Sequence, residues 1–428
     1  MNSFISVGID VGSEFSFMSI ALPDSSFVGK PFKIVHSDLD SLETAVSAIK
    51  KTEESYSMVS QIFLESTGIY HYPLFCYLRD RNFDVKVINP IISNSTANFY
   101  IRKVHNDKFD SRKLALLGLN PNLKISVIPC ELVLNLRNLV REYYNLIEER
   151  SKYVIKLQTV LHKAFPQYIK IFSKITVKTS LKLLERFTSP DNFIAAQKSE
   201  ILSIINDTAR FGSSYAETKY NALIKVSKEA KSFGNFISSD LTIIRMYINF
   251  INTFNKAIEN ILNEMHSFVD LNENEPFVKQ IHLIETIKGA GFLTAVTIMC
   301  EIGDFSAFKK PKQLLAYFGL DPSVRQSGKF TASSVKISKR GSKFARKAIH
   351  TVALVCIGKS RKGIPNNSVL NDYYTLKCKS KPKMVALVAV MHKVCNIIFA
   401  VLRDNKPFQM ISPEEHNKQY LISLALPA

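Results

Sequence analysis

The chain has 428 residues, 46% hydrophobic and 22% charged. These globular proportions exclude wholesale disorder and, at ~150 residues per domain, allow two to three domains. Lys+Arg 56 against Asp+Glu 37 gives a net charge of +19, which points to a polyanionic partner, nucleic acid before anionic membrane. Only 15 glycines are present, about half the usual ~7%, so folds that need several glycine-rich phosphate loops are disfavoured.

The first part of the chain alternates strand and helix signals. Ser3–Ile9, Phe15–Leu22 and Pro31–His36 are β-rich runs. Ser37 and Asp38 can cap a helix running to about Lys51. Gln61–Leu64 reads as a short strand, Tyr70–Arg81 as a helix, Phe83–Asn89 as a strand and Asp107–Leu117 as a helix. Three strands followed by alternating strands and helices predict an α/β domain with a mixed sheet. From Leu132 the pattern becomes helical. Leu132, Leu136, Leu139, Tyr143, Leu146, Tyr153, Leu157 and Val160 follow 4-3 spacing, with Arg150 interrupting the stripe. A second stripe runs through Ile244, Ile248, Ile251, Ile258, Leu262 and Met265, with Asn255 in its seam. Both have coiled-coil character, and they can pair as an antiparallel hairpin or between subunits. The stretch 165–240 between them is helical and rich in Ser and Lys.

From about Phe277 apolar helices alternate with basic loops. Between Arg325 and Lys383 there are fifteen Lys/Arg and one acid, Asp372. One-signed clustering of this kind is the footprint of a phosphate backbone, whereas a merely solvated face mixes signs. Met384–Leu402 is the most apolar stretch, but His392, Lys393 and Asn396 interrupt it, so it reads as a buried helix and not a bilayer span. The six cysteines form no C-x-x-C pair, which argues against a zinc ribbon or a disulfide framework. The opening MNSFISVGIDVG has no basic n-region. A cytoplasmic protein with no membrane partner is expected.

A dispersed set of carboxylates carries the first chemical signal. Asp10 closes the first strand, in Val7-Gly8-Ile9-Asp10-Val11-Gly12, and Glu65 closes the Ile62-Phe63-Leu64 strand. Asp107 and Asp110 stand three apart at a helix start, and so on one face. Four acids from two strand ends and one helix can meet at a sheet edge. There they would need Mg²⁺, which favours carboxylates together with substrate phosphate oxygens, and two such ions support in-line displacement at a phosphodiester. The plainer readings are turn or cap roles: Asp107 as a helix cap, Asp110 near the positive helix end and Glu65 solvated.

The second signal lies in the basic region. Ile287-Lys288-Gly289-Ala290-Gly291-Phe292-Leu293-Thr294 places two glycines between apolar helices, like a helix–hairpin–helix whose amides can bind phosphate. An ordinary interhelical turn would read the same. Farther on, Ser327 sits between Arg325 and Lys329. A serine hydroxyl attacks phosphorus only if it is positioned and the developing charge is stabilised. Arg325, Lys329, Lys339 and Arg340 can supply the cations. Ser323, Ser333, Ser334 and Ser338 are alternatives that spacing does not separate from Ser327.

The acid order, the Gly-x-Gly turn, EIGDFSAF, LAYFGLDPSVRQSGKF and ISKRGSKFARKAI resemble the DEDD transposases of insertion-sequence family one-ten, relatives of Piv-type DNA invertases. The resemblance covers the first ~120 residues and about 280–357. It implies an N-terminal RuvC-like (RNase H fold) domain, coiled-coil helices and a C-terminal helical transposase domain with a helix–hairpin–helix. The corresponding boundaries are 1–125, 130–275 and 276–405, with a tail at 406–428. By the same resemblance Asp10, Glu65, Asp107 and Asp110 form a catalytic Mg²⁺ site and Ser327 is the nucleophile. Gly289, Gly291, Thr294, Arg325, Lys329, Lys339, Arg340, Lys343 and Arg346 would contact nucleic acid. The implied partners are donor and target DNA, a structured bridge RNA, and further copies of the chain in a dimer or tetramer. One departure is His105-Asn106-Asp107, where the family has Thr before the acid, which puts local helix capping in question.

Other classes fit less well. A RuvC-like structure-specific nuclease would use the acids without a covalent step. An actin-like ATPase or sugar kinase would share Gly8-Ile9-Asp10-Val11-Gly12, but it needs a second phosphate loop that the sequence lacks. A non-enzymatic nucleic-acid scaffold would have no use for four ordered acids and a serine.

Overall fold

The computed structural model describes residues 4–66, 69–88, 106–123, 125, 129–209, 211–233, 236–323, 326–327, 330–331, 336–412, 414–415 and 418; at 326–327 and 330–331 the description is of backbone. The chain divides into two compact units, Met1–Ile128 and Pro129–Ala428.

In the first unit a five-stranded sheet forms from β1 (Ile5–Val11), β2 (Phe15–Ala21), β3 (Phe32–Val35), β4 (Ser60–Glu65) and β5 (Asp84–Ile88). Its spatial order is β3-β2-β1-β4-β5, with β1–β2 and β2–β3 antiparallel and β1–β4 and β4–β5 parallel. The mixed sheet is therefore the one predicted. Helix α1 (Leu39–Tyr56) starts at Asp38, whose side chain accepts from the Asp40 amide, and runs five residues past Lys51. Helix α2 (His71–Arg79) joins β4 to β5.

Strand periodicity sorts β1 between two faces. Ile5, Val7, Ile9 and Val11 are buried with Ala45, Val46 and Ile49 of α1 and Leu74, Phe75 and Leu78 of α2. Ser6, Gly8 and Asp10 take the opposite face, beneath helix α3 (Asp107–Gly118). That helix lies very close to the strand. Ser6 Oγ donates to the Ala115 carbonyl at 2.6 Å, and Ser19 Oγ bonds Ser111 Oγ at 2.8 Å. A Cβ on Gly8 would fall 2.1 Å from Ala115 N and 2.4 Å from Ser111 O, so only glycine permits this approach.

In the second unit two 34-residue helices, α4 (Glu131–Ala164) and α9 (Ser238–Leu271), run antiparallel side by side. Their partners fix the register: Lys163 Nζ meets Asp240 Oδ1 at 2.8 Å, and Arg150 Nη1 donates to Asn255 Oδ1 at 2.8 Å. The two residues expected to interrupt the stripes thus satisfy each other. The buried stripe of α4 is Val133, Leu136, Val140, Tyr144, Leu157 and Leu161, rotated from the expected one. Leu132, Leu139 and Tyr143 flank the core half-buried, because this helix packs on more than one neighbour.

The helix pair spans two cores. At one end Leu157 and Leu161 of α4 and Ile244, Ile248 and Ile251 of α9 pack against the segment between them. That segment forms α5 (Lys178–Phe187), α6 (Pro190–Ala195), α7 (Lys198–Thr208) and α8 (Ser213–Ser232). At the other end Leu136, Val140 and Tyr144, with Met265 and Val269, enter the core of the C-terminal helices. These are α10 (Pro276–Glu285), α11 (Phe292–Ile302), α12 (Pro311–Tyr317), α13 (Lys343–Ile357), α14 (Ser368–Cys378) and α15 (Lys383–Asp404). Glu301, almost fully buried, receives Arg141 from α4, with Nη2 at 3.2 Å from Oε1, while Arg137 donates twice to the Cys300 carbonyl.

Helix α15 is long and apolar enough to cross a membrane by length and composition. Val390, Val394, Cys395 and Ile398 lie fully inside the C-terminal core. In the expected tail, the Phe408 amide donates to Thr286 Oγ1.

Candidate active site

The four predicted acids gather around one end of the sheet. Asp10 lies one residue before the end of β1, on the face beneath α3, and Glu65 is the last residue of the adjacent parallel strand β4. On β4, Ile62 and Leu64 face the α1 side and Phe63 the α3 side, so alternation also puts Glu65 on the α3 side. Asp107 and Asp110 occupy the first turn of α3.

Asp10 reports the proximity of the other three. Its pKa rises from the ordinary 3.8 to about 7, first through burial, then through the charges of Asp110, Asp107 and Glu65. Lys113, one turn beyond Asp110, opposes the rise. Sequence reading missed Lys113, although its Asp107-Asp110-Lys113 spacing of three was available as a signal. Asn106 caps α3: its side chain accepts from the Lys108 amide at 3.0 Å, and its carbonyl accepts from the Phe109 and Asp110 amides. The Asn therefore does the capping, and the alternative cap role of Asp107 is excluded; His105 lies outside the described residues.

Among the described residues no three acid, histidine or cysteine groups stand close enough to hold an ion. The acids are electrostatic neighbours of Asp10 and not a closed shell. The donors nonetheless suit a hard divalent cation, being all oxygen, from rigid strand and helix ends and repelling one another for want of positive charge.

The serine segment of the second unit is a small hairpin on a braced base. Strand β6 (Gln326–Ser327) pairs antiparallel with β7 (Phe330–Thr331), Ser327 opposite Phe330. Arg325 and Lys329 lie outside the described residues, as do Ser333 and Ser334. Below the hairpin the chain is cross-linked by backbone bonds: Ser323 N to Lys336 O, Ser338 N to Asp321 O and Lys339 N to Gly319 O. Ser323 Oγ donates to the Lys336 carbonyl, and Ser338 Oγ to Asp321 Oδ1 at 2.5 Å. Two of the alternative serines thus spend their hydroxyls on the base. Gly319 and Gly341 have φ of +66° and +148°, and a Cβ on Gly341 would fall 2.1 Å from the Tyr317 carbonyl oxygen.

The predicted nucleic-acid contacts separate into two kinds. Lys339, Arg340 and Lys343 are exposed. Arg346 instead turns inward, with Nη1 donating to the Phe318 and Gly341 carbonyls at 3.0 and 2.9 Å, and its burial lowers its pKa. It braces the hairpin base. Among the described residues no cation from Lys336 to Lys383 joins an ion pair. The glycine turn is present: Gly289 has φ +108°, its missing Cβ making room for Cys356, and Gly291 is exposed at the start of α11. Thr294 Oγ1 donates to the Gly291 carbonyl at 2.7 Å, so this hydroxyl closes its own turn.

An acidic sheet end thus stands in the first unit, and in the second a serine hairpin with a braced base, with no ion-paired cation among the described residues from Lys336 to Lys383. Comparison with known proteins gives the class. Residues 7–166 match the model of the DEDD transposases of IS110, and residues 281–374 match that described as "Transposase IS116/IS110/IS902 family". The chain therefore carries IS110-type transposase domains, each over part of its length. It is also similar to the pilin gene-inverting protein of Moraxella bovis, 32% identical over 126 residues, or 29% of this chain and 38% of that protein. The pilin gene-inverting protein of Moraxella lacunata matches over the same extent at 32% identity. The chain thus spans well under half the length of these curated relatives.

Proposed function

We propose that the chain is an insertion-sequence transposase that cuts and rejoins DNA through a covalent serine–phosphate intermediate, guided by a structured bridge RNA. The observation that carries this reading is the convergence of Asp10 with Glu65, Asp107 and Asp110, expressed in the rise of Asp10 to about 7, in a chain that also presents Ser327 on a hairpin. The N-terminal sheet is read as RuvC-like, the two long helices as a coiled coil and the glycine turn as a helix–hairpin–helix.

In the proposed reaction Ser327 Oγ gives up its proton and forms a bond to the scissile phosphorus. The P–O bond to a deoxyribose oxygen breaks, and that oxygen leaves with a proton. Attack on the phosphoserine by a hydroxyl of another strand end reverses the step and rejoins DNA. One phosphoester replaces another throughout, so no ATP is required. Mg²⁺ bound by Asp10, Glu65, Asp107 and Asp110 would supply charge neutralisation at the phosphate. Lys113 holds a positive charge against the acids when they are ionised, and Asn106 fixes the start of α3. Lys339, Arg340 and Lys343 hold backbone phosphates near the hairpin, and Arg346 holds its base. A guide RNA would take over sequence choice by base pairing, leaving the protein to grip backbone. A cytoplasmic, oligomeric enzyme with donor and target DNA as substrates completes the reading.

The test is a labelled element-junction DNA incubated with Mg²⁺ and protein purified with its RNA, then run on a denaturing gel. A protein-sized labelled band in wild type that is absent in Ser327→Ala is the expected result. Cleavage without an adduct in either protein would overturn the serine step and leave a metal-dependent nuclease. Loss of activity on ribonuclease treatment is expected if RNA guides the enzyme; unchanged activity would remove the guide.

A further inference from the structure

We propose that the pocket between helices α12, α14 and α15 is a second nucleic-acid site, which takes a phosphodiester and its nucleotide at a place separate from the serine hairpin. Its polar lining comprises Lys310, Lys312, Lys393, His392, Asn396 and Tyr373. Leu315 and Ala389 give it an apolar floor, and no acid lines it. Among the described residues none of the three lysines joins an ion pair. Three cations, Lys310 at the N-cap of α12, Lys312 on α12 and Lys393 on α15, thus face one concavity uncompensated, an arrangement that favours an anion.

Size and chemistry narrow the ligand. The pocket encloses about 620 Å³, within the range that holds drug-sized molecules and far more than an inorganic phosphate fills. Tyr373 supplies an aromatic wall, and Lys393 Nζ and Lys377 Nζ lie 5.4 and 5.3 Å from its ring centroid. Cations beside an aromatic ring are the means by which proteins hold nucleic-acid strands, with phosphate on the lysines and a base against the ring. His392 Nε2 lies 2.9 Å from the Leu320 carbonyl. A carbonyl oxygen only accepts, so Nε2 carries the proton. This bond ties one pocket wall to the residue that precedes Asp321, where the hairpin base begins.

The inference rests on the reading that the chain binds nucleic acid, but not on Ser327. The test is fluorescence anisotropy of the full-length protein, across a salt series, with labelled duplex DNA and labelled single-stranded RNA. The variants are Lys312→Ala/Lys393→Ala, the corresponding double Arg variant, and Lys225→Ala as a control cation paired with Glu229 on α8. Each lysine on a phosphate is worth about fivefold in affinity at physiological salt and about one unit of salt slope. The double Ala variant should therefore lose about 25-fold on at least one probe, with a slope shallower by about two. The double Arg variant should retain binding, and Lys225→Ala should match wild type. The probe that weakens identifies the strand held. Wild-type affinity and slope in the double Ala variant, on both probes, would overturn the pocket while leaving nucleic-acid binding intact. Calorimetric binding of inorganic phosphate that the variant abolishes, with both probes unaffected, would also overturn it, as a small-anion site. If wild type bound neither probe, the underlying reading would fail with it. All three lysines are exposed, and matching thermal unfolding curves check that folding is unchanged.

Discussion

The acidic sheet end and the serine hairpin solve opposite problems. The first collects like charges and must hold them together; the second collects a short, polar loop and must hold it still. Asp10, Glu65 and the Asp107–Asp110 pair come from segments up to a hundred residues apart, and strand register, helix α3 and a close strand–helix contact bring them together. The hairpin and its base span little more than twenty residues, secured by backbone bonds and two serine hydroxyls within them and by Arg346 from the helix that follows. The acidic site therefore depends on the core of its unit, whereas the serine site depends on local hydrogen bonds. Mutations should expose that difference.

The largest effect is expected from Asp10→Asn. It removes the carboxylate that feels all three others and, with it, several kcal/mol of transition-state stabilisation. Adduct formation with junction DNA should fall more than about a thousandfold, while thermal stability should hold or rise, since a repelled charge is gone. Close behind comes Gly8→Val, which should damage the site through the core. Its side chain would begin 2.1 Å from the Ala115 backbone nitrogen, so α3 must move. A loss of about 3 kcal/mol or more is expected in denaturant unfolding, along with loss of divalent-cation binding. Near-wild-type stability would show that strand–helix approach does not set the site.

In the second unit the matching core contact is Arg141 on Glu301. Arg141→Ala leaves a carboxylate buried without its partner, and about 2–3 kcal/mol should be lost, discounting for the half-exposed guanidinium. The double variant Arg141→Ala/Glu301→Gln should recover much of that. Failure to recover would mean that Arg141 acts through its packing over the Phe344 ring of α13 and not through charge.

The acidic site also predicts a pH dependence that the hairpin lacks. Asp10 holds its proton up to about pH 7 in the folded protein and only to about 3.8 when unfolded. Between those values the folded state binds more protons, so this group's contribution to stability falls as pH rises through that window. Cation binding must displace the same proton. Apparent Mg²⁺ affinity measured by calorimetry should therefore rise about tenfold per pH unit below 7 and level off above it. Asp110→Asn removes the strongest of the neighbouring charges and should move that bend to lower pH.

The sequence displayed the acidic site more plainly than its supports. Strand ends marked Asp10 and Glu65, and the spacing of three marked Asp107 and Asp110, because such patterns are local; the order of the four acids supplied the rest. Gly8 was visible only as part of a Val-Gly-Ile-Asp string; its role depends on α3, a hundred residues later, and no local pattern encodes that. The buried stripe of α4 was misplaced by about one position for a related reason. A helix that serves two cores and several neighbours buries more than the single seam that 4-3 spacing describes. Arg150 and Asn255 read as interruptions because each was seen without the other. Among the basic residues, Arg346 was expected to contact nucleic acid, and only its bonds to the Phe318 and Gly341 carbonyls, on either side of the hairpin base, show why an arginine is needed inside.

The smallest effect sharpens the comparison most. Ser338→Ala removes the hydroxyl donated to Asp321 at the hairpin base. The loss in global stability should be only about 1 kcal/mol, the net value of one hydrogen bond, because three backbone bonds across the same base remain. If the base positions Ser327, adduct formation should nevertheless slow by more than that energy implies, since a nucleophile displaced by a fraction of an ångström loses the alignment that in-line attack requires. Mg²⁺ affinity should be unchanged, because no residue of the acidic site lies in this segment. An adduct rate that tracks stability alone would show Ser338 to be a fastener of the loop and nothing more. A rate that falls while stability and cation binding hold would mean that the hairpin base positions the serine independently of the fold around it.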